Sequence, residues 1–545
     1  MKFMIKKGIA ASKGYAIGKV FIQKNEEIVI SSSNIEDVNT EIEKLKEALE
    51  ISKKQLIAIK EKAIDEMGIE EAEVFEAQIT LLDDPEFTGL MIKEIEENLS
   101  NAMKAVNSIT NTYVAMFNIM EDAYMKERAA DIKDVSYRIL ENLSGRYKEN
   151  EEDGVMEDNI IVIAHDLTPS DTAQLDRSKV IGFATDIGGR TSHAAIMART
   201  LEIPAVLGIG DISKEVKNGD ILILDGVNGE IIINPNQEEI DKYIEKQKEY
   251  NQKREELRKL INLKAETKSG KIIEVCGNIG SHEDVEAVIE NGGDGIGLFR
   301  TEFLYMDREE APSEEEQFNS YKYVLEKMNG KKVIIRTLDI GGDKTLPYLS
   351  MPNELNPFLG YRAIRLCLDK KELFKVQIRA LLRASVYGEL CVMFPMISGL
   401  GELFEAKALV NECKNELIEK NIKFADNIKW GIMIEIPSAA LCAAELAQYV
   451  DFFSIGTNDL IQYTLAVDRM SEKVSYLYDP MHPAILKLIK MTIDGAHSQG
   501  KWVGMCGEMA ADEEAISILL DYGIDELSMS ATSILSVKKI ILEHK

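Results

Sequence analysis

Basic side chains are scarce in this sequence relative to acidic ones. Its 545 residues include 64 Lys and Arg against 93 Asp and Glu, which gives a formal net charge of −29. A surface of this sign repels the phosphates of nucleic acids and of anionic membranes, so neither is an expected partner. A basic protein partner, or solubility alone, is compatible with the charge.

Long apolar runs and closely paired cysteines are also missing. No run reaches the roughly 20 apolar residues of a membrane span. The opening MKFMIKKGIA lacks the apolar core of a secretory signal. All six cysteines lie at or after Cys276, and no two form a CxxC pair. We therefore expect a reduced, cytoplasmic protein without membrane insertion.

The signatures of nucleotide-binding loops are absent as well. The glycine-rich stretch 341–345, GGDKT, does not have the spacing of a GxxxxGK[ST] phosphate-binding loop. The stretch GDGIGLF does not match the GxGxxG pattern of dinucleotide folds. If the chemistry involves phosphoryl transfer, the expected donor is therefore a small anion and not ATP.

The first third of the chain changes from one strand to helices. GKVFIQ reads as a strand, which must pair with a segment further along because a lone strand is unstable. From about Ser33 to Leu143 apolar residues recur at helical spacing, with a break at 83–85, which predicts a bundle of about four helices. Residues 31–150 hold 26 acidic and 14 basic side chains. This charge indicates either a solvated surface or a docking surface for a basic partner.

The rest of the chain alternates between strands and helices. From Asn159 short β-branched runs predict an α/β domain, which is the expected location of the partner strands of GKVFIQ. A polar helical stretch, 238–266, reads as a linker. Eight strand-like runs then predict a (β/α)₈ barrel, with a glycine-rich open sheet as the alternative. These runs are IIEVCGN, GIGLFRT, VIIRTLD, LCVMFPM, GIMIEIP, FFSIGTND, WVGMCGE and ELSMSAT.

Polar side chains follow the predicted barrel strands, where such barrels place their active sites. Arginines bind phosphate or carboxylate through forked hydrogen bonds, and two carboxylates can hold Mg²⁺. We therefore predict a site for a small anion with phosphate and carboxylate groups; salt bridges within the barrel are the alternative. The residues are Asn278, Arg300, Arg336, Arg362, Glu435, Asn458, Asp459, Arg469, Cys506 and Glu508.

Two further residues stand where they could react. Cys506 ends a predicted strand in VGMCGEMA, where a thiol could protonate a carbon centre; a packed, inert cysteine is the alternative. His193 lies in the first turn of a predicted helix in GGRTSHAAIMAR, beside Arg190, and Thr191 or Ser192 could cap that helix. Helix N-termini favour anions, so this imidazole could carry a phosphoryl group. A surface histidine near a cap is the other interpretation.

Several long motifs resemble a known family. GGRTSHAAIMAR is similar to the phosphohistidine signature of the PEP-utilising enzymes, and DFFSIGTNDLIQYTLAVDR to their PEP-binding signature. With GIGLFRTEFLYMDR, IIRTLDIGGDK, NPFLGYRAIR and GIMIEIPS, the order of motifs resembles Enzyme I of the bacterial sugar phosphotransferase system, the phosphoenolpyruvate–protein phosphotransferases. The resemblance runs nearly end to end.

The resemblance implies a multidomain α/β protein with a swivelling phosphohistidine domain, an inserted helical bundle and a C-terminal (β/α)₈ TIM barrel. We expect its boundaries as follows: an N-terminal strand segment at 1–30, a helical carrier-docking domain at 31–148, the phosphohistidine domain at 149–236, a linker helix at 237–266, and a PEP-binding and dimerisation barrel at 267–545.

The resemblance also implies a reaction. Phosphoenolpyruvate would donate its phosphoryl group to Nε2 of His193, Cys506 would protonate the enolate to give pyruvate, and a histidine of the carrier protein HPr would receive the group. Mg²⁺ would lie on Glu435 and Asp459. Substrate would be held by Arg300, Arg336, Arg362, Asn458, Asp459 and Arg469. The family is a homodimer through its barrels, and the linker helix would be the hinge.

One departure and three alternatives accompany this interpretation. VFEAQITLLDDPE resembles the carrier-docking helix, but relatives often carry a histidine where this chain has Gln78. Pyruvate phosphate dikinase or PEP synthase would need an ATP-grasp domain, for which there is no room ahead of the histidine motif. A nitrogen-related Enzyme I would carry an extra N-terminal domain, and the pattern here starts at residue 5. A non-catalytic PEP sensor would not need His193, Cys506 and the metal-binding acids together.

Overall fold

The computed structural model describes most of the chain. The described residues are 3–23, 28, 30, 35, 37–67, 72–119, 123–145, 159–173, 179–189, 192–200, 203–306, 308–342, 344, 346–349, 351–352, 354–468, 471 and 473–545. They divide into two compact units, 1–252 and 253–545. Three residues singled out in the sequence, Arg190, Thr191 and Arg469, lie outside the described part.

The first unit contains an eight-stranded mixed sheet in the order β1-β8-β7-β3-β4-β5-β6-β2. Its strands are β1 Met4–Lys7, β2 Ile9–Ser12, β3 Tyr15–Ile22, β4 Ile160–Ala164, β5 Val180–Thr185, β6 Ala205–Leu207, β7 Ile221–Asp225 and β8 Glu230–Ile233. The N-terminal strand β3 lies inside this sheet, parallel to β4 and antiparallel to β7. The sequence GKVFIQ therefore finds its partners about 140 and 200 residues further on, as a lone strand requires.

Both faces of the central strands are covered, which explains their continuous apolar sequence. In β4 every residue is buried. Successive residues point to opposite faces: Ile160 and Val162 join one apolar cluster, and Ile161 and Ile163 join another. The first of these clusters continues into the helices that follow β3. A strand buried on both faces reads as a hydrophobic run without alternation, as IIVIA does.

The helical segment contains five helices among the described residues, one more than the sequence indicated. They are α1 Val38–Met67, α2 Glu73–Asp83, α3 Pro85–Asn98, α4 Ala102–Ile119 and α5 Ala123–Ser144. The predicted break lies between α2 and α3, where the Asp84 side chain accepts the N–H of Glu86 and Pro85 opens α3. A second break follows at Leu99, which adopts a left-handed conformation with φ 48°. Nothing in the residue type of Leu99 signals that turn.

Three shorter helices flank the sheet, and one long helix follows it. The short ones are α6 Pro169–Ala173, α7 His193–Thr200 and α8 Ile212–Glu215. The long helix α9, Gln237–Arg258, is almost entirely polar and contains the boundary between the two units. Its first half is attached to the sheet, because the Tyr243 hydroxyl lies 3.3 Å from Asp225 and Gln247 Nε2 donates to the Tyr15 carbonyl at 2.7 Å.

The second unit is a closed barrel of eight parallel strands, so the open-sheet alternative is wrong. The strands are β9 Glu274–Ile279, β10 Ile296–Arg300, β11 Lys332–Arg336, β12 Glu389–Phe394, β13 Lys429–Ile434, β14 Phe452–Ile455, β15 Trp502–Met505 and β16 Glu526–Met529. Each coincides with one of the eight predicted runs, and β16 pairs with β9 to close the ring. The barrel prediction is confirmed.

Helices surround the barrel and connect its strands. They are α10 Val285–Glu290, α11 Glu314–Lys327, α12 Ile364–Asp369, α13 Lys371–Ala384, α14 Leu400–Glu419, α15 Pro437–Leu441, α16 Ala443–Leu446, α17 Thr457–Leu465, α18 Pro483–Ser498, α19 Glu513–Tyr522 and α20 Ile534–Glu543. Within the described ranges, none of the helices combines the length and the apolar character needed to cross a bilayer. The loops that leave the C-terminal ends of the strands carry the predicted site.

Candidate active site

A cavity of about 400 Å³ opens where the barrel strands end. It gathers side chains from at least six strand ends, which the barrel topology brings together although they are spread over more than 200 residues. Every described residue of the predicted substrate and metal set lines it: Arg300, Arg336, Arg362, Glu435, Asn458, Asp459 and Cys506. It is also lined by six polar residues outside that set: Asn278, Glu302, Asp339, Lys344, Glu508 and Ser530.

Two of the arginines are buried in an ionic network. Arg336, at the end of β11, pairs with Glu302 and with Asp339, each at 2.8 Å. Arg362 pairs with Asp339 at 3.0 Å and with Asp459 at 3.3 Å. Although burial opposes it, the guanidinium groups of Arg336 and Arg362 hold the pKa of Asp339 well below its usual range. Asp339 therefore stays ionised and fixes both guanidinium groups on the cavity wall.

Each of these arginines keeps one buried donor without a described partner. The Nε atoms of Arg336 and Arg362 are both buried and have no hydrogen-bond partner among the described residues. A buried donor without a partner is costly, on the order of 1–3 kcal/mol. Arg300, at the end of β10, is exposed, and its guanidinium lies 5.3 Å from the centre of the Phe303 ring.

Glu435 and Asp459 form the carboxylate side of the cavity. Glu435 follows β13 and is buried, and one of its oxygens accepts the N–H of Met396 at 2.6 Å. Burial, and then the neighbouring charges of Asp459 and Asp339, raise the pKa of Glu435 to about 8. Its second oxygen, Oε2, lies close to Gly456, because a Cβ added to that glycine would be 3.2 Å from it. Gly456 directly precedes the helix that carries Asp459.

A divalent cation fits these two carboxylates. Carboxylate oxygens are the ligands that Mg²⁺ prefers, and Mg²⁺ usually keeps water or substrate oxygens as its other ligands. Burial, Asp459 and Asp339 disfavour a negative charge on Glu435 more than Arg336 and Arg362 favour it. A cation there would favour that charge, so the residues present suit the magnesium site expected from the sequence.

Cys506 lies at the cavity as the first residue after β15. Its N–H donates to the Ile455 carbonyl at 3.1 Å, and its side chain is buried. Burial raises the pKa of the Cys506 thiol to about 11, so the sulfur keeps its proton at neutral pH. A protonated thiol facing a cavity can serve as an acid, whereas it would be a poor nucleophile.

Two amide side chains lock the strand ends around this thiol. Asn278 Nδ2 donates to the Cys506 carbonyl at 3.0 Å and to the Ser528 carbonyl at 3.3 Å. Asn458 Nδ2 donates to Glu508 at 3.0 Å, and the Glu508 N–H donates back to Asn458 Oδ1 at 3.1 Å. Asn278 and Glu508 were visible in the sequence as polar strand ends. Only the contacts show that they position Cys506 and Asn458.

Another cluster of possible metal ligands lies at the opposite end of the barrel. Among the described residues, Glu274, Cys276 and Glu526 form the one group of three whose ligand atoms lie within 4.8 Å of one another. Lys332 Nζ pairs with both carboxylates and lies 3.8 Å from the centre of the Trp502 ring. Because the Lys332 ammonium already pairs with both carboxylates, this cluster is an internal ionic contact, and its residues do not line the cavity.

His193 belongs to the first unit, where it is the first residue of α7. The turn before it includes Gly188, whose φ of 121° suits glycine. Ser192 Oγ accepts the N–H of Ala195 at 3.4 Å, as expected of the capping residue. The helix therefore begins at the C-terminal edge of β5. The cavity with Cys506 belongs to the second unit, whereas His193 belongs to the first.

Gln78 is not on the surface of the helical segment. It is buried on α2, and its Nε2 donates to Asp134 of α5 at 3.1 Å. The residue type at this position therefore affects packing between two helices. The difference between Gln78 and the histidine of many relatives therefore lies inside the bundle.

Comparison with known proteins gives matches over nearly the whole chain. The model for the PEP-binding domain of PEP-utilising enzymes matches residues 254–545. The models for the N-terminal and mobile domains of the same enzymes match residues 7–128 and 156–229. These three matches and the barrel cavity define a PEP-utilising enzyme.

Curated relatives narrow the class. A phosphoenolpyruvate-protein phosphotransferase of Priestia megaterium is 53% identical over 534 residues, 98% of this chain and 93% of its own length. The protein of the same name from Bacillus subtilis (strain 168) is 52% identical over 532 residues, again 98% and 93%. A solution structure of Enzyme I (nEIt) is 45% identical and covers 45% of this chain and 99% of its own, with a TM-score of 0.40. The chain belongs to the family of phosphoenolpyruvate-protein phosphotransferases.

Proposed function

We propose that this protein transfers the phosphoryl group of phosphoenolpyruvate through a phosphohistidine at His193 to a histidine of the carrier protein HPr, and releases pyruvate. This is the first step of the sugar phosphotransferase system. The observation that carries the proposal is the barrel cavity, which combines three arginines, two neighbouring carboxylates and a protonated thiol. The family relationship supplies the reaction class.

In this proposal the cavity binds the substrate through its cations. Arg300, Arg336 and Arg362, with Arg469 from the motif AVDR, hold the phosphoryl and carboxylate groups, and Asn458 and Asp459 complete the subsite. Glu435 and Asp459 would hold Mg²⁺, which supplies charge neutralisation at the phosphoryl and enolate oxygens. Asp339 keeps Arg336 and Arg362 in place before substrate arrives.

The transfer then proceeds in two bond changes. The Nε2 lone pair of His193 forms the N–P bond while the bond between phosphorus and the enol oxygen breaks. The enolate left behind takes the Cys506 proton at its methylene carbon and becomes pyruvate, and the thiolate regains a proton from water. Protonation at carbon removes the enolate as an acceptor, so it drives the transfer forward.

The proposal extends to partners and motion. His193 and the cavity lie in different units, so transfer requires the first unit to carry His193, and helix α9 is the proposed hinge. HPr docks on the acidic helical segment. The barrels form a homodimer, for which exposed apolar side chains such as Phe404, Leu441 and Tyr449 are available. Six free cysteines suit a reducing compartment, and we propose the cytoplasm.

The test is labelling with phosphoenolpyruvate that carries a labelled phosphoryl group, in the presence of Mg²⁺. We expect an acid-labile, base-stable label with release of pyruvate, and transfer of the label when HPr is added. The His193→Ala variant serves as the control. It is expected to take no label and still to bind phosphoenolpyruvate. If the native protein binds the substrate but takes no label, the protein is a PEP sensor and the proposal is wrong.

A further inference from the structure

Lys344 is a cation of the barrel cavity that no motif interpretation assigned. It follows β11 in a tight turn, in which the Gly341 N–H donates to the Lys344 carbonyl at 3.1 Å. The turn is packed closely, because a Cβ on Gly341 would lie 2.3 Å from Cβ of Arg362, and its φ of 118° also suits glycine. The Lys344 backbone is therefore fixed beside an arginine of the site.

The Lys344 ammonium is held by a buried carboxylate. Its Nζ donates to Glu302 Oε1 at 2.8 Å, and the same oxygen accepts Arg336 Nη2 at 2.8 Å. Glu302 is fully buried. Although burial opposes it, Arg336 and Lys344 lower the pKa of Glu302, so it is an anion that joins two cations. Glu302 thus determines where the ammonium stands.

The side chain of Lys344 is more exposed than those of the neighbouring arginines. Its side chain is 28% exposed, against 8% for Arg336 and 7% for Arg362. The two arginines share their charge with Glu302, Asp339 and Asp459. An ammonium has three donors. Within the described part of the chain, the hydrogen bond to Glu302 uses one of them, and no described side chain takes the other two, while Lys344 lines the cavity.

The charges of the cavity favour a further cation beside the substrate. Its described lining contains four cations, including Lys344, and five carboxylates, including Glu508. Carboxylates therefore outnumber cations among these residues, and a substrate with several negative charges benefits from each cation that can reach it. An anion held in a site of low dielectric needs compensation close by.

We propose that Lys344, positioned by Glu302, binds the phosphoryl group of the substrate directly. The proposal deepens the proposed function and rests on it. A lysine ammonium is a compact point charge that suits a tetrahedral phosphoryl group, whereas the planar forks of the arginines suit the carboxylate as well. Lys344 is then a substrate-contacting residue, and Glu302 is a positioning residue that acts through it.

The test compares two ligands on matched variants of the full-length protein. Phosphoenolpyruvate contains a phosphoryl group and a carboxylate, and oxalate contains two carboxylates and no phosphoryl group. In the His193→Ala background, which takes no phosphoryl group, Lys344→Met is expected to weaken phosphoenolpyruvate binding, measured by calorimetry with Mg²⁺, by about 10- to 100-fold, which is typical of a lost hydrogen bond to a charged group. Oxalate binding is expected to stay unchanged. Lys344→Arg is expected to keep most of the affinity.

The control is Lys375→Met. Lys375 has a side chain only 10% exposed and pairs with Glu412 and Glu416 on the outer helices, away from the cavity. This variant tests whether removing any well-paired lysine disturbs the barrel. We expect it to bind both ligands as the native protein does.

Glu302 is tested through its coupling to Lys344. Glu302→Gln is expected to raise KM for phosphoenolpyruvate in the native background and to raise it less in the Lys344→Met background, because part of its effect passes through the ammonium. Equal effects in both backgrounds would show that Glu302 is structural only.

A measurement on the native protein makes the test independent of folding in the variants. Amine acetylation is followed at Lys344 by peptide mass spectrometry. We expect protection by phosphoenolpyruvate and none by oxalate. Unchanged phosphoenolpyruvate affinity in Lys344→Met, equal weakening of both ligands, or protection by oxalate would each overturn the proposal. Failure of the native protein to bind phosphoenolpyruvate at all would instead overturn the proposed function.

Discussion

At the scale of single residues, two buried acids of the cavity, Glu435 and Cys506, both have a raised pKa. The causes of the two shifts differ. The pKa of Glu435 is raised to about 8 by burial and then by two neighbouring carboxylates. A cation bound beside those carboxylates would ionise Glu435. The pKa of Cys506 is raised to about 11, mainly by burial, and the thiol stays protonated near neutral pH. Under the proposed function, Glu435 would lose its proton when a metal binds, and Cys506 would give its proton to carbon.

For Cys506 we expect replacement by alanine to slow pyruvate formation by about 100- to 10,000-fold, the usual contribution of a positioned acid. Binding of phosphoenolpyruvate should be retained, because the thiol contributes no charge to it. Pyruvate is measured in single-turnover reactions with a coupled dehydrogenase. Cys442→Ala is the control, since Cys442 is exposed and lies outside the cavity. Native-like pyruvate release from the Cys506 variant would assign the proton to another donor.

For Glu435 the raised pKa predicts coupling between Mg²⁺ and protons. Below pH about 8 the carboxyl is protonated, so binding of Mg²⁺ releases a proton; above that pH it releases none. Affinity for Mg²⁺ should therefore rise with pH and level off above about 8. The pKa of Glu435 is higher in the folded protein than in the unfolded chain. The metal-free protein should therefore also lose stability as the pH rises toward about 8.

The measurement is calorimetry of Mg²⁺ binding at pH 7 in two buffers of different ionisation enthalpy. Glu435→Gln serves as the comparison and should abolish the proton release and weaken Mg²⁺-dependent turnover. Turnover with the native metal dependence in that variant would remove Glu435 from the site.

At the scale of elements, the site depends on how closely the end of β15 approaches helix α17. Gly507, directly after Cys506, faces the first residue of α17, and a Cβ there would lie 1.9 Å from Thr457 Oγ1 and 2.6 Å from its backbone nitrogen. The same helix carries Asn458 and Asp459 in its first turn. The absence of a side chain at 507 thus sets the distance between the thiol and the proposed metal ligand.

We expect Gly507→Ala to push α17 away from β15. Overpacking of this kind costs about 1–3 kcal/mol of stability, and Mg²⁺-dependent turnover should fall more steeply than stability does. Gly401→Ala is the matched control, because Gly401 lies in helix α14 with open space around it. That change should be neutral or stabilising by about 0.5–1 kcal/mol. Urea denaturation and steady-state turnover measure both effects, and native turnover in Gly507→Ala would show that the close approach is not required.

At the scale of the whole molecule, the two units have separate hydrophobic cores. The sheet and the helical segment share clusters that stop short of the barrel, and the barrel has its own. The boundary falls inside α9, whose first half is attached to the sheet by Tyr243 and Gln247. Each unit therefore has the interactions needed to fold by itself.

We expect a fragment of residues 1–252 to fold, to exchange phosphoryl groups between His193 and HPr, and to take none from phosphoenolpyruvate. The fragment 253–545 should bind phosphoenolpyruvate with Mg²⁺ and take no label. Circular dichroism establishes folding, and label transfer from phosphorylated HPr measures exchange. Labelling of the first fragment by phosphoenolpyruvate would show that the barrel is not the donor site.

The sequence by itself was sufficient for the features that are local. Each barrel strand is a short apolar run, and the polar residue that ends it marks the site, so Arg336, Glu435 and Cys506 could be predicted as cavity residues. The bundle was predicted with about four helices and has five among the residues that the structure describes, because the turn at Leu99 has no signal in its residue type. Motifs such as GGRTSHAAIMAR indicated the family before any geometry was known.

Only the tertiary structure decided which charges meet. Glu302 contacts Arg336 and Lys344, which lie 34 and 42 residues away, and Asp339 joins Arg336 to Arg362. Gln78 lies in a motif that resembles the carrier-docking helix, but its side chain is buried and donates a hydrogen bond to Asp134. Hydrophobic periodicity is repeated along the chain and can be read from it, whereas an ion pair across neighbouring strands depends on register and burial. The sequence therefore determined the barrel and part of its cavity lining, whereas the packing added Glu302, Asp339 and Lys344 and determined how the charges are paired.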